Sequence, residues 1–220
     1  TANWGSPLKP SAFRGDLCFG PSQGQNVTFV NPKKWITTWR EIEPMSALEE
    51  IVRMYLQAYG PATIEDFSRW WWGGAGITMT KKVFKSLESE LEEVNVEGWR
   101  AIALTSTLKS IQKMDIANTV RLLPLFDAYV LGLGRDLDPL LPATLKNRVY
   151  RPQGWISAVV LVDGRMKGVW EYKTKGAQTT VKISMFASAP RSLRQSIEAE
   201  AERLGLFLKT KVVIEYEVKP

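Results

Sequence analysis

Residues 46–104 carry the most restrictive pattern in the sequence: three successive segments of helical periodicity, followed at once by two short β-rich segments. Ser46 with Glu49, and Thr63 with Asp66, have the spacing of a capping box, which begins a helix by satisfying its first backbone N–H groups. Apolar residues then recur at intervals of three and four, as they do along one face of a helix. The pattern therefore predicts helices that each bury one side.

Two glycine-containing breaks divide this region. Gly60-Pro61 ends the first helix, and the run Gly-Gly-Ala-Gly at 73–76 separates the second helix from a third, which we expect over residues 78–91. Strands are expected at 93–96 and 100–104. Three helices and a hairpin in this order, with a short turn before the third helix, are typical of a winged helix, which is a helix-turn-helix followed by a β-wing.

The residues before this region have the pattern of the end of another such unit. Residues 7–17 predict a short helix, and residues 18–19 and 26–30 predict two strands joined by a turn. Because a winged helix ends in a helix and a hairpin, we interpret residues 1–32 as the tail of an upstream winged helix. Residues 33–118 are then the complete winged-helix domain.

From residue 119 onwards the chain is rich in β-forming residues, which predicts a separate domain of residues 119–220. Asp163-Gly164 is a turn signal between two of its strands, and the amphipathic segment 192–204, which we expect Gly205 to end, is its one helix. The predicted fold class is therefore α+β. It comprises a winged helix followed by a small antiparallel β-barrel or sheet with one packed helix.

The composition excludes several kinds of catalytic site. The chain has one cysteine and no histidine, so Ser-His-Asp and Cys-His catalysis, histidine-containing zinc sites and an internal disulfide are excluded. Asp127, Asp136 and Asp138 form only a weak metal signature, and hydrogen bonding to a loop is the favoured role of Asp127. We therefore predict no catalytic residue, no metal site and no small-molecule cofactor in this chain.

Neither a membrane nor a secretory pathway is indicated by the sequence. No apolar run approaches the length of about 20 residues that spans a bilayer, and the first residues have no signal-peptide pattern. Together with the single cysteine, these features predict a cytoplasmic protein without a membrane partner.

The net charge of +6 is unevenly distributed. Residues 1–118 contain 13 basic and 13 acidic side chains, whereas residues 119–220 contain 16 basic and 10 acidic ones. The excess is densest between Lys146 and Lys182, where eight basic side chains accompany two acidic ones. Such a localised stretch is typical of a surface that binds a polyanion. A solvated sheet face with basic residues at its edges is the alternative that the sequence leaves open.

The candidate DNA-binding residues come from two parts of the chain. Lysines occupy the N-terminal half of the predicted third helix, where a recognition helix meets the groove, although intrahelical ion pairs such as Lys85–Glu88 are an alternative role. The 163–168 turn offers two cations beside Met166, a wedge-like set suited to a minor groove; an ordinary exposed turn is the alternative. The candidates are Lys81, Lys82, Lys85, Trp99, Arg148, Arg151, Arg165, Lys167, Lys173 and Lys175.

Three consecutive tryptophans, Trp70-Trp71-Trp72, suggest stacking on bases. Each helical residue advances about 100°, so three in a row spread around about 300° of the helix. Core packing is therefore the favoured role, and Trp99 and Trp155 are better candidates for exposed aromatic side chains.

Four segments carry a resemblance to a known family. They are residues 17–24 with 27–30 (LCFGPSQG, VTFV), 55–63 with 66–67 and 70–71 (YLQAYGPAT, DF, WW), 123–132 (LPLFDAYVLG), and 162–165 with 168–170 (VDGR, GVW). In this order they resemble the winged-helix DNA-binding family that contains the bacterial AlkZ and YcaQ crosslink-repair glycosylases. The matches span most of the chain.

The resemblance implies tandem winged helices and a C-terminal β-barrel wrapped around duplex DNA, with hydrolysis of the N-glycosidic bonds of alkylated bases. It also implies a catalytic Gln-X-Gln element in the first winged helix, which we expect to be missing here because the chain begins inside the second. Gln23-Gly24-Gln25 has the pattern but lies in a predicted turn. The expected function is double-stranded DNA binding within an alkylation or crosslink repair DNA glycosylase.

Two other functions are compatible with the sequence. A non-catalytic winged-helix DNA-binding or regulatory protein has the same architecture, and its full-length sequence would lack the Gln-X-Gln element. A protein-interaction module is compatible with the neutral charge of residues 1–118. Salt-dependent binding to duplex DNA distinguishes the interaction module from both DNA-binding functions.

Overall fold

The computed structural model describes residues 6–111, 113, 119–132 and 140–217, and its fold is mixed α/β. The chain divides into two compact units, Thr1–Ala47 and Leu48–Pro220. The domain boundaries at residues 32 and 118 stay predictions.

Short elements make up the first unit. Helix α1 (Lys9–Phe13) follows a single 3-10 turn, and strands β1 (Cys18–Phe19) and β2 (Phe29–Val30) pair antiparallel. Asn31 then caps helix α2 (Pro32–Trp35) by accepting the backbone N–H of Lys33 at 3.0 Å. The helix predicted over 7–17 is therefore shorter than expected, and the predicted hairpin is confirmed.

Three helices and a hairpin follow in the predicted order. They are α3 (Pro44–Tyr59), α4 (Ile64–Trp72), α5 (Ile77–Ser86), β3 (Leu91–Val96) and β4 (Trp99–Leu104), followed by α6 (Thr105–Ile111). The capping box of α4 is confirmed, because Thr63 accepts the Asp66 N–H at 3.0 Å while Asp66 accepts the Thr63 N–H at 3.1 Å. Apolar side chains from all three helices are fully buried, including Val52, Phe67 and Val83.

Two helix ends differ from the prediction. The Glu43 carboxylate accepts the Ser46 N–H at 2.9 Å, so Glu43 rather than Ser46 satisfies the first turn of α3. Helix α5 ends at Ser86 instead of residue 91, because Leu91 pairs with Leu104 as the first residue of β3 and therefore needs an extended backbone.

A five-stranded sheet forms the C-terminal part of the second unit. Its strands are β5 (Val120–Leu123), β6 (Val159–Val162), β7 (Arg165–Lys175), β8 (Gln178–Met185) and β9 (Lys211–Tyr216), paired in that order. Between β5 and β6 the chain forms two short helices, α7 (Ala128–Gly132) and α8 (Lys146–Val149). Leu123, Val159 and Val169 on one face of the sheet pack in a core with Val130 of α7 and Val149 of α8.

The prediction was a small antiparallel barrel or sheet. The sheet is open, so the barrel form is wrong, and the sheet is only partly antiparallel. Within the described residues β5 pairs only with β6 and β9 only with β8, and β8 and β9 run parallel. The cause is helix α9 (Arg191–Leu208), which carries the chain from the end of β8 back to the start of β9. Ile197 and Ala201 of α9 pack against the opposite face of the sheet. The predicted packed helix is therefore longer than residues 192–204 and continues past Gly205. It is not the single packed helix that was predicted, because α7 and α8 pack against the other face.

Among the described residues, no helix combines the length and the apolar character that crossing a membrane requires.

Candidate nucleic-acid interface

Helix α5 presents three lysines to solvent. Lys81, Lys82 and Lys85 are exposed, while Val83 and Phe84 on the other side of the helix are buried. The three ammonium groups form no ion pair with the residues that the structure describes, so the predicted intrahelical pair of Lys85 with Glu88 is not formed. The helix therefore offers uncompensated positive charge on its solvent face.

The acidic residues that follow α5 are partly engaged elsewhere. Both Glu90 carboxylate oxygens accept hydrogen bonds from the Arg53 guanidinium of α3, at 2.8 and 2.7 Å. These bonds lower the pKa of Glu90 and raise the pKa of Arg53. Glu49 of the same helix accepts a hydrogen bond from the Ser86 hydroxyl at 2.7 Å. The hydrogen bonds of Glu90 with Arg53 and of Ser86 with Glu49 therefore help to fix α3 against the end of α5.

The β6–β7 turn is held in place by its backbone geometry and by two hydrogen bonds. Asp163 and Gly164 both have positive φ, 47° and 77°, as a tight two-residue hairpin turn requires. The Asp163 carboxylate accepts the Thr119 N–H at 2.7 Å, and the Tyr129 hydroxyl donates to the Gly164 carbonyl at 3.3 Å. Burial raises the pKa of Tyr129, which keeps its hydroxyl protonated as a donor. The turn is consequently a fixed structure.

The predicted wedge at this turn is wrong for Met166. Its side chain is 2% exposed and belongs to the core under α7. Leu161 pairs with Met166 and Val160 with Gly168, so Lys167 is an extra residue in β7 that shifts the alternation of side chains. Lys167 remains exposed. Arg165 is half-buried and forms an ion pair with Glu97, the residue at the β3–β4 turn.

One face of the sheet carries a row of lysines. Residues directly opposite each other on paired strands share a face, and the pairs Lys173–Thr180 and Lys175–Gln178 join β7 to β8. Glu171 lies opposite Lys182 in the same ladder. Lys211 continues the row on β9, since it pairs with Gln178. Lys173, Lys175 and Lys211 are exposed, and none of the three has an ion-pair partner within the described part of the chain.

Arg148 and Arg151 lie at the end of this face, in a cleft of about 780 Å³. The Arg148 guanidinium donates to the Ser184 hydroxyl at 2.8 Å and lies 5.0 Å from the centre of the Phe186 ring, so its position is fixed. Arg151 is exposed beside the 152–154 turn.

The tryptophans divide into different environments. Trp99 is half-buried, although it was expected to be exposed at the tip of the wing. Trp70, Trp71 and Trp72 are each a little over 40% exposed, and only Trp70 contacts the buried ring of Phe67, at 6.0 Å between centroids. Core packing therefore accounts for only part of this aromatic run.

Two further sequence motifs have no site geometry. Gln23-Gly24-Gln25 forms an exposed turn in the first unit, where the Gln23 backbone pairs with Asn26. The Asp127 carboxylate accepts the Tyr129 N–H at 2.9 Å, as expected of a loop hydrogen bond, while Asp136 and Asp138 lie outside the described residues. Within those residues, no three cysteine or carboxylate side chains are grouped closely enough to hold a metal ion.

A family model matches nearly the whole chain. The model describes DNA glycosylases similar to AlkZ and covers residues 8–207. The chain belongs to the AlkZ-like DNA glycosylase family. The family resemblance predicted from the sequence is confirmed.

Two relatives of this AlkZ-like chain come from Streptomyces sahachiroi. A protein described as an interstrand DNA cross-link repair glycosylase is 37% identical over 207 residues, which are 93% of this chain and 55% of the relative. The solved structure of DNA glycosylase AlkZ is similar with a TM-score of 0.83 and 36% identity, over 97% of this chain and 58% of that one. This chain therefore spans little more than half the length of the relatives it matches.

The sequence of this AlkZ-like chain does not indicate that the cleft residues lie together. Besides the two arginines the cleft is lined by Trp155, Tyr172 and Lys182, which come from a turn and two strands. Trp155 was a candidate exposed aromatic and Lys182 part of the basic stretch, but no local pattern indicates that they adjoin Tyr172. These residues become neighbours through the register of the paired strands, and that register depends on the bulge at Lys167.

Proposed function

We propose that this chain binds double-stranded DNA as part of a glycosylase that acts on alkylated or crosslinked bases. The observation that carries the proposal is the set of exposed cations without ion-pair partners in the described residues, on α5 and on the β7–β9 face. Such charges neutralise phosphates and release counterions when DNA binds. The relative described as an interstrand DNA cross-link repair glycosylase supports the same substrate class.

Helices α4 and α5 with the β3–β4 hairpin are proposed to act as a winged helix. In that arrangement α5 is the recognition helix, and Lys81, Lys82 and Lys85 contact phosphates beside the groove. Lys167 and the lysines of the sheet face would contact the backbone of the same duplex. Arg165 is proposed as a conditional contact, because Glu97 neutralises it in the absence of DNA.

Salt dependence tests the proposal directly. The affinity for an unmodified duplex is expected to fall steeply with salt concentration, with a logarithmic slope of about −0.9 for each phosphate contact. Substituting Lys81 and Lys85 with glutamine is expected to make this slope shallower by about two units, uniformly across DNA sequences. Lys109→Gln, which removes a lysine of α6, is the matched control. Binding that is absent or independent of salt contradicts the proposal and leaves a protein-interaction module as the alternative.

We propose that Gln23-Gly24-Gln25 is not the catalytic Gln-X-Gln element of the family. The family resemblance places this element in the first winged helix, and Gln23 and Gln25 lie in an exposed turn. We therefore expect no release of base from DNA containing N7-alkylguanine when this chain is assayed alone. Release that is abolished by Gln23→Ala and Gln25→Ala would place the active site in this turn. A full-length protein that binds DNA but releases no base would be a non-catalytic member of the family.

A further inference from the structure

The cleft at the end of the sheet lies where β7 loses one of its neighbours. Strand β6 pairs with β7 as far as Val169, and Trp170 makes the next bond, donating its N–H to the Ala158 carbonyl at 3.1 Å. Beyond it, β7 pairs with β8 on one side only among the described residues. At about 780 Å³ the resulting cleft is within the range of small-molecule sites, which is about 300–1,000 Å³.

Two large aromatic side chains in this cleft keep half of their surface exposed. Trp155 is 48% exposed and Tyr172 is 51% exposed. Each is supported by another ring: Phe126 lies 5.3 Å from Trp155, and Trp170 is stacked 5.8 Å from Tyr172. The Trp170 indole is fixed in turn by donating to the Leu123 carbonyl at 2.7 Å. The cleft therefore presents positioned aromatic surfaces that the fold itself does not cover.

Cations line the same cleft as these rings. The backbone N–H of Arg151 donates to the Trp155 carbonyl at 2.8 Å across the 152–154 turn. The guanidinium of Arg151 and the indole of Trp155 therefore extend from neighbouring backbone positions. Arg148 and Lys182 also line the cleft, with Glu171 and Glu217 as its two carboxylates. The cations can bind a phosphate group, and a carboxylate can accept a hydrogen bond from the exocyclic amino group of a base.

We propose that this cleft binds one unpaired nucleotide of a DNA strand. The base stacks on Trp155, and the adjoining phosphate contacts Arg151 and Lys182. Inside a duplex both faces of a base are covered by its neighbours, so an interior base can offer a face to the indole only after it leaves the stack. The proposal deepens the proposed function, because it assigns a second ligand class, an unpaired nucleotide, to a protein that holds duplex DNA.

A peptide added along the edge of β7 that has no strand partner among the described residues is the competing occupant. Strand addition uses backbone hydrogen bonds and pockets for alternate side chains, and it has no need of supported aromatic faces beside an arginine. The pairing of Trp155 with Arg151 on one turn therefore favours the nucleotide.

The experiment compares a blunt duplex with the same duplex carrying one unpaired nucleotide at its end, both titrated with this chain. The unpaired nucleotide is expected to tighten binding by about tenfold, since stacking on an aromatic side chain contributes at that level. Trp155→Ala is expected to abolish the difference and to leave the affinity for the blunt duplex unchanged. Trp71→Ala removes a similarly exposed indole outside the cleft and is expected to keep the difference.

Further variants and probes distinguish a strand end from a free nucleotide, and loss of binding from loss of folding. Arg151→Gln, a substitution of an exposed side chain, is expected to reduce the difference even if Trp155→Ala impairs folding, and Trp155→Phe is expected to preserve it. Free deoxyadenosine monophosphate is expected to bind more weakly than the strand end, and equal affinity would contradict a strand ligand. If neither duplex binds, the duplex proposal fails, and binding of a single-stranded oligonucleotide that depends on Trp155 would still support this inference. A difference that persists in Trp155→Ala, or a cleft that binds none of these probes, overturns it and leaves a peptide as the occupant.

Discussion

Gly205 lies inside α9, where a β-carbon would come within 2.5 Å of the Val212 Cγ2 atom and 2.9 Å of the Thr210 carbonyl oxygen. Both contacts come from the segment that turns the chain into β9. The absence of a side chain therefore permits the close approach of the parallel strand to the helix. A glycine near the end of a periodic segment predicts a helix end from sequence alone, and only the packing of β9 gives the real reason for this one.

Substitution of Gly205 tests that packing. Gly205→Ala is expected to lower the free energy of unfolding by about 1–2 kcal/mol, because overpacking outweighs the gain in helix propensity. Chemical denaturation measures the change. The same substitution in a Val212→Ala background is expected to be less damaging, since the clashing methyl group is then absent. An equal loss in both backgrounds would show that Val212 is not the limiting contact.

At the scale of single elements, features formed by residues close in sequence were predictable. Features that depend on contacts between distant segments were not. The capping box at Thr63 and the Asp163-Gly164 turn were predictable, because the atoms that form them are close in sequence. The bulge at Lys167 was not, because it is set by the pairing of β6 with β7, and it moved Met166 from the expected surface to the core. The incorrect prediction of a barrel has the same cause, because the parallel pairing of β9 with β8 depends on how the whole sheet packs.

The contact between α3 and the acidic turn after α5 gives a prediction for pH. The Arg53 bonds lower the pKa of Glu90 in the folded state. This contribution is therefore fully present above the ordinary glutamate pKa and is lost as the pH falls through the lower folded-state pKa. Glu90→Gln is expected to lower the Tm slightly at neutral pH, and the difference from the unmodified chain is expected to vanish in acid. Thermal melting across the acidic range, with Glu92→Gln as an exposed control, checks this, and a difference independent of pH would contradict it.

For the molecule as a whole, two of the hairpin turns of the second unit meet in one ion pair. Glu97 and Gly98 both have positive φ, as do Asp163 and Gly164, so each turn is a tight two-residue connection with little freedom. Arg165 and Glu97 join them, and a proposed wing is thereby linked to the sheet. The sequence indicated both turns separately and could not indicate their contact, because the two residues are far apart along the chain.

This contact gives opposite predictions for Glu97 and for Lys167, an exposed cation of the β6–β7 hairpin. Glu97→Gln removes a carboxylate that forms an ion pair with Arg165, so duplex binding is expected to tighten and its salt slope to steepen by about one unit. Lys167→Gln removes an exposed cation from the same hairpin and is expected to make the slope shallower by about one unit. Stability should change little in either variant, because both side chains of the pair are partly exposed and such pairs contribute about 0–1 kcal/mol.

The control for Glu97→Gln is Glu92→Gln, which changes the net charge equally on the same hairpin without releasing Arg165. If the two variants tighten binding to the same extent, net charge is the cause and Arg165 is not a DNA contact. If only Glu97→Gln tightens binding, the double variant Glu97→Gln, Arg165→Gln should lose the gain. That result would mean that Arg165 binds DNA and that duplex DNA competes with Glu97 for this arginine.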